Sequence, residues 1–179
     1  MSPVAFGTDG IRGRALDELS CEIAWAIGRA SVEVLGAERL IIGRDTRESG
    51  PVIAAALAAG AASAGALIHD LGVIPTPGVA CLCALEASPG AVVSASHNPW
   101  ADNGIKVLSA GGTKLTDAEE AAIEAAVNEL LDAGVSLPEL DAAELLARDE
   151  PAAERYLDHL VESVPDRALA GLRIVVDAA

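Results

Sequence analysis

Short apolar runs that stop at glycine or a polar cluster alternate along this chain with longer alanine-rich segments. Arg39–Gly43 reads Arg-Leu-Ile-Ile-Gly, too short for a helix and closed by a turn residue, and predicts a buried strand. Ala66–Leu71, Gly90–Val93 and Ile105–Leu108 read the same way. Between them, Ser49-Gly50-Pro51 opens a helix to about Ala62, with proline in the first turn, where an amide N–H is not needed. Thr76-Pro77 opens another as N-cap and first helical residue, running to about Glu86. An earlier helix is expected over 20–35. Thr116-Asp117-Ala118-Glu119 is a capping box for a long helix through Ala133.

Strand, helix, strand, helix, strand is the order of a parallel sheet with helices packed on it, joined by right-handed crossovers. The link from Val93 to Ile105 carries no helix and is too short for a crossover, so the last of these strands is expected to be antiparallel. The fold class expected is therefore α/β: a three-layer α-β-α domain with a mixed, mostly parallel sheet. Residues 134–150 are polar, contain Pro138 and read as a connector, and 152–161 reads as a helix. Gly171–Asp177 reads as a strand with nothing after it to cover it, hence the first strand of a truncated second domain. The expected division is 1–150 for the first domain and 151–179 for a connector helix and the start of the second.

Composition changes this picture in three places. Residues 49–68 carry no charge over a length that could cross a membrane, but they are mostly alanine and glycine, and a buried helix followed by a buried strand is the reading adopted. No basic stretch followed by an apolar run marks a signal peptide. Three cysteines without zinc spacing suit a reduced, cytoplasmic chain, and Cys81 and Cys83 fall in an apolar helical pattern as small core residues. The net charge of −15 and an aromatic content of 2% argue against nucleic-acid or anionic-membrane partners. The acidic surplus is concentrated in 117–162, whereas Arg12 and Arg14, Arg44 and Arg47, and Lys106 and Lys114 sit in short blocks that could meet around a small anion.

In open α/β sheets, ligands bind beyond the carboxyl ends of the strands. Gly43-Arg44-Asp45-Thr46-Arg47, Gly72–Pro77 and Ser94-Ala95-Ser96-His97-Asn98-Pro99 all fall there. Ser96 is the natural nucleophile of the last block, with His97 beside it. On these residues alone, a polar turn without chemistry is an equally good reading. No Gly-x-Ser-x-Gly elbow supports a serine hydrolase.

Four blocks in one order carry a resemblance: Phe6–Gly13 (Phe-Gly-Thr-Asp-Gly-Ile-Arg-Gly), Gly43–Arg47, Ser94–Pro99 and Asp102–Lys106 (Asp-Asn-Gly-Ile-Lys). Together they resemble the first domain of the α-D-phosphohexomutases. The opening block and Gly72–Ala80 are most similar to the branch that interconverts glucosamine 6-phosphate and glucosamine 1-phosphate toward cell-wall precursors. The resemblance implies an isomerase acting by intramolecular phosphoryl transfer through a bisphosphorylated sugar. It implies Ser96 as the phosphoryl carrier, Arg12 beside its phosphate, Lys106 assisting proton transfer and His97 organising the loop. It implies Mg²⁺ bound through the phosphate on Ser96, with its aspartate ligands in a second-domain Asp-x-Asp-x-Asp segment that this chain lacks. A phosphosugar substrate and a homodimer through this domain follow from the same source. The sugar- and phosphate-binding loops of later domains are also missing, so residues 1–179 alone are expected to be inactive. The rival readings are a phosphoglucomutase or phosphomannomutase of the same family, and a non-catalytic dimerisation module. Of the remaining residues, Arg44 and Asp45 are expected to form an ion pair and Arg47 to be a surface or helix-start charge. Lys114 is expected to be solvated, His69 a satisfied core histidine, and Trp100 a cover over the loop. Thr8 and Asp9 are expected to shape the opening turn.

Overall fold

A computed structural model of the chain describes residues 4–7, 9–138, 145–146, 151–166 and 168–177. Five strands, β1 (Ile11–Arg14), β2 (Arg39–Arg44), β3 (Leu67–Val73), β4 (Gly90–Val93) and β5 (Asp102–Leu108), make one sheet in the order β1-β5-β4-β2-β3. β2 lies parallel to both β3 and β4, while β5 runs antiparallel to β4 and to β1. All strands but β5 therefore share one direction, and the helix-free link after Val93 does return the chain antiparallel.

Strand residues alternate between two cores, as a period of two requires when both faces are covered. Leu40, Ile42, Ala91, Val93, Ile105 and Val107 face the larger core, and Ile41, Val92 and Leu108 the smaller. The larger core is built with α1 (Cys21–Leu35), α2 (Gly50–Ser63) and α4 (Asp117–Ala133), the smaller with α3 (Thr76–Glu86) and α5 (Ala152–Glu162). Burying a side chain such as Leu40 or Ile53 stabilises the fold by about 1.5–3 kcal/mol.

Local signals set the helix ends. The Ser20 side chain accepts the Ile23 amide at the start of α1, and Gly36 ends it with φ 60°. The uncharged stretch that could have crossed a membrane is α2 with β3 behind it. α2 is buried because α1 packs on one side and the sheet on the other. α1 and α2 meet backbone to backbone: a Cβ on Gly60 would run into the Trp25 carbonyl, and one on Gly28 into that of Leu57. No helix among the described residues is long and apolar enough to cross a membrane. Cys83 is fully buried, and burial, then the nearby Glu86 charge, pushes its thiol up to about 12. It is a core residue, as its pattern implied.

Four expectations need correction. Ile11–Arg14 was expected only as part of a motif; it forms β1, because pairing with β5 outweighs the poor strand propensity of Arg-Gly-Arg. That same pairing extends β5 back to Asp102. α3 begins at Thr76 itself with Pro75 as cap, whose carbonyl takes the Gly78 and Val79 amides. Residues 171–177 form no strand and are exposed. Much of the 134–150 connector, and Thr8, lie outside the described residues.

Candidate active site

The loop after β4 departs from the sheet at its carboxyl edge. Ser94 donates its amide to Gly104 O on β5 at 2.9 Å, and Ala95 is the loop's buried anchor. Asn98 N–H closes a turn on Ala95 O at 3.1 Å, and Asn98 Nδ2 donates to Asp102 Oδ2 at 3.1 Å. The turn leaves Ser96 exposed with φ 55°, a left-handed conformation that costs a non-glycine residue about 1–2 kcal/mol. Such strain persists only where surrounding bonds impose it. His97 Nδ1 lies 3.4 Å from Ser96 Oγ, and His97 has no carboxylate partner among the described residues. A hydrolase triad is therefore not assembled here.

The bonds that impose the strain come from the block after β2. Arg47 Nη1 donates to Pro99 O (2.6 Å) and Asp102 O (2.9 Å), and Nη2 to Ser96 O and Asn98 O (2.9 Å each). Its Nε donates to Asp45 Oδ2 at 3.0 Å. Ser94 Oγ donates to that same oxygen at 2.7 Å and accepts the Ser96 amide at 3.0 Å. Two expectations fall with this geometry. Arg47 is no surface charge, since its side chain is 10% exposed. Arg44 does not pair with Asp45 but with buried Asp70, at 3.1 Å. Successive strand-end side chains point to opposite sides, so Arg44 and Asp45 diverge while Asp45 and Arg47 meet across a tight turn, Arg47 N–H also donating to Asp45 Oδ1. The i, i+2 spacing of Asp45 and Arg47 was the signal available for this.

Arg12 and Lys106 reach the same face of the sheet as Ser94. Arg12 is paired with Gly104 across β1 and β5, and Lys106 with Val92 across β5 and β4. A Cβ on Gly104 would sit 2.8 Å from both Arg12 Cγ and Ser94 O, so the missing side chain lets Arg12 lie against the loop's first residue. α3 packs on β2 and β4 on this face, and the smaller core takes in Leu108 at the far end of β5, while Arg12 and Lys106 lie nearer the loop. Arg12 and Lys106 are thus partly open to solvent beside the loop. Arg12 approaches Asp9 only to 3.8 Å, and its Nε is buried with no hydrogen-bond partner among the described residues. A buried donor left in that state costs free energy until an acceptor arrives.

Residues 3–133 match the family described as phosphoglucomutase/phosphomannomutase, alpha/beta/alpha domain I. The chain belongs to that family. It is 48% identical over 98% of its length to the phosphoglucosamine mutase of Symbiobacterium thermophilum, and 49% identical over 97% to that of Desulforudis audaxviator. It spans 40% and 39% of those two proteins. A crystal structure of a phosphoglucomutase/phosphomannomutase family protein from Burkholderia thailandensis superposes with a TM-score of 0.70 and 27% identity, over 92% of this chain and 36% of that one.

Other polar groups of this phosphoglucomutase/phosphomannomutase domain are spent on structure. His69 Nδ1 lies 3.0 Å from Glu86 Oε2, and Lys114 pairs with Glu120 at 3.1 Å. Trp100 does not cover the loop: it is 82% exposed and borders, with Leu16 and Val52, a cleft of about 440 Å³. No group of three or more His, Cys, Asp or Glu that could hold a metal occurs among the described residues. The loop's carboxylates are engaged, Asp45 by Arg47 and Ser94, and Asp102 by Asn98. The described residues do not by themselves fit a Mg²⁺ site.

Proposed function

We propose that the protein containing this chain interconverts glucosamine 6-phosphate and glucosamine 1-phosphate, with Ser96 as the phosphoryl carrier. The observation that carries this reading is the exposed, left-handed Ser96 at the carboxyl edge of β4, on a face where Arg12 keeps a buried donor unspent. The relatives named phosphoglucosamine mutase supply the sugar.

In this reading the P–Oγ bond of phosphorylated Ser96 breaks as a sugar hydroxyl forms its own bond to phosphorus. The hydroxyl gives up its proton, and Ser96 Oγ ends as a hydroxyl. Lys106 lies on the same face and is the group through which that proton passes. Arg12 balances the charge of about −1.5 to −2 that the phosphate brings, and His97 holds the Ser96 oxygen from the side. The bisphosphorylated sugar then turns over and returns its other phosphate to Ser96. Positioning and charge stabilisation carry the rate, as in other phosphoryl transfers. Mg²⁺ would supply Lewis-acid polarisation of the phosphoryl oxygens, with one ligand from this chain, the phosphate on Ser96, and the carboxylates from outside residues 1–179.

We further propose that 1–150 is the first domain and that α5 leads from its docked position on α3 toward a second. A homodimer through this domain and a cytoplasmic location, which suits the three unpaired cysteines, complete the reading. Ser96→Ala in the full-length protein is expected to lose the phosphate seen by intact mass and to fall at least about a thousandfold in turnover. Retained turnover in an unphosphorylated variant would move the carrier elsewhere. A panel of glucosamine, glucose and mannose phosphates separates this reading from the phosphoglucomutase and phosphomannomutase alternatives.

A further inference from the structure

Every N–H of one guanidinium is used on the Ser96 loop and its support. Arginine has five such donors. In Arg47, Nε serves Asp45, Nη1 serves Pro99 O and Asp102 O, and Nη2 serves Ser96 O and Asn98 O. None is left for a phosphate. Arg12, by contrast, retains a buried, unpartnered Nε. The two arginines nearest the loop are therefore chemically sorted: Arg12 is free to meet an anion and Arg47 is not.

What Arg47 holds is the backbone of the carrier residue from both ends. The Ser96 carbonyl is bound by Nη2 directly. The Ser96 amide is bound by Ser94 Oγ, which donates to the Asp45 oxygen that Arg47 Nε also occupies. These two attachments bracket the Ser96 φ of 55°. Apolar packing cannot do this, since Ser96, His97, Pro99 and Trp100 are all exposed and only Ala95 is buried. We propose that Arg47, with Asp45 and Ser94 as its relay, is a positioning residue that sets the direction of the Ser96 hydroxyl for phosphoryl transfer without touching the substrate. This deepens the proposed function and rests on it for its kinetic part.

Arg47→Lys keeps the charge but offers a point donor where a planar fork is needed. In the full-length protein we expect kcat to fall roughly 100-fold, the scale of a misplacement of about 1 Å, with KM for glucosamine 6-phosphate within about threefold of wild type. A lost phosphate ligand would instead raise KM, and that result overturns the proposal, as does an unchanged kcat. Asp45→Asn is expected to shift kcat in the same sense by less. The second measurement needs no activity: the Cα and Cβ chemical shifts of Ser96 in the 179-residue chain report the sign of its φ. They should move toward extended values in Arg47→Lys, and unchanged shifts overturn the clamp. Should the wild type convert no hexose phosphate, the proposed function fails, and these shifts alone decide whether Arg47 holds the loop. Arg47→Ala is expected to go further in both measurements; if it does not fold, Arg47→Lys carries the decision.

Discussion

At the scale of single residues, the site depends on one side chain in a strained conformation and on one that is missing. Ser96 occupies a backbone region that serine avoids, and Gly104 leaves the gap in which Arg12 lies beside the strand-end carbonyl of Ser94. Gly104→Ala would set a methyl 2.8 Å from both Arg12 Cγ and that carbonyl. Arg12 can swing aside, but the backbone carbonyl cannot, so we expect a loss of roughly 1–3 kcal/mol of stability. Chemical denaturation of the purified chain measures it, and a variant as stable as the wild type would show that the strands can part without cost. The residue types here were legible in the sequence, and their partners were not. Ser96, His97, Arg12 and Lys106 stood out by motif. Arg47 reads in the sequence as a surface or helix-start charge because its four carbonyl acceptors lie 49–55 positions away in the chain.

At the scale of elements, the capping box of α4 was the most readable feature. Thr116 Oγ1 accepts the Glu119 amide at 3.3 Å while the Glu119 carboxylate accepts the Thr116 amide at 2.8 Å, completing the capping box expected from Thr-Asp-Ala-Glu. The Thr116 side-chain hydrogen bond, and then its backbone one, lower the Glu119 pKa from 4.5. A carboxyl whose pKa is lower folded than unfolded stabilises the fold above its unfolded value and loses that contribution as pH falls through the folded one. The N-terminus of α4 is thus expected to loosen below the ordinary carboxylate range. Thr116→Ala should bring the Glu119 titration back toward its unperturbed value and lower Tm by roughly 2–4 °C. A carboxyl titration followed by NMR, with a melting curve, checks both. Strand β1 marks the opposite case. Arg-Gly-Arg has no strand signature of its own, and only the presence of β5 beside it makes those residues extended.

At the scale of the whole molecule, an unevenly covered sheet makes room for a ligand. α3 and α5 close the smaller core over β2, β4 and Leu108 of β5, while Arg12 and Lys106, toward the Ser96 loop, stay partly open to solvent. The surplus of negative charge lies in the sequence stretch 117–162, and Lys114 of the third basic block is paired with Glu120 on α4. The chain spans 40% of the length of a relative such as the Symbiobacterium thermophilum protein. Residues 1–179 alone are therefore expected to show no conversion of glucosamine 6-phosphate in a coupled assay. Measurable turnover by this chain would place the whole catalytic apparatus within it.

The sequence alone determined the local order of the structure: which segments are helices, where α4 is capped, that β5 must return antiparallel after a link too short to cross over, and which serine is a candidate carrier. These properties depend on neighbours a few positions away, through hydrogen-bond reach and side-chain period. The tertiary structure alone decided which charges pair, that β1 is a strand, that 171–177 is not, and that Arg47 holds Ser96 in its left-handed form. The Arg44–Asp70 pair, strand β1 and the Arg47 bonds to the Ser96 loop are settled by groups distant in sequence, brought together only when the sheet assembles.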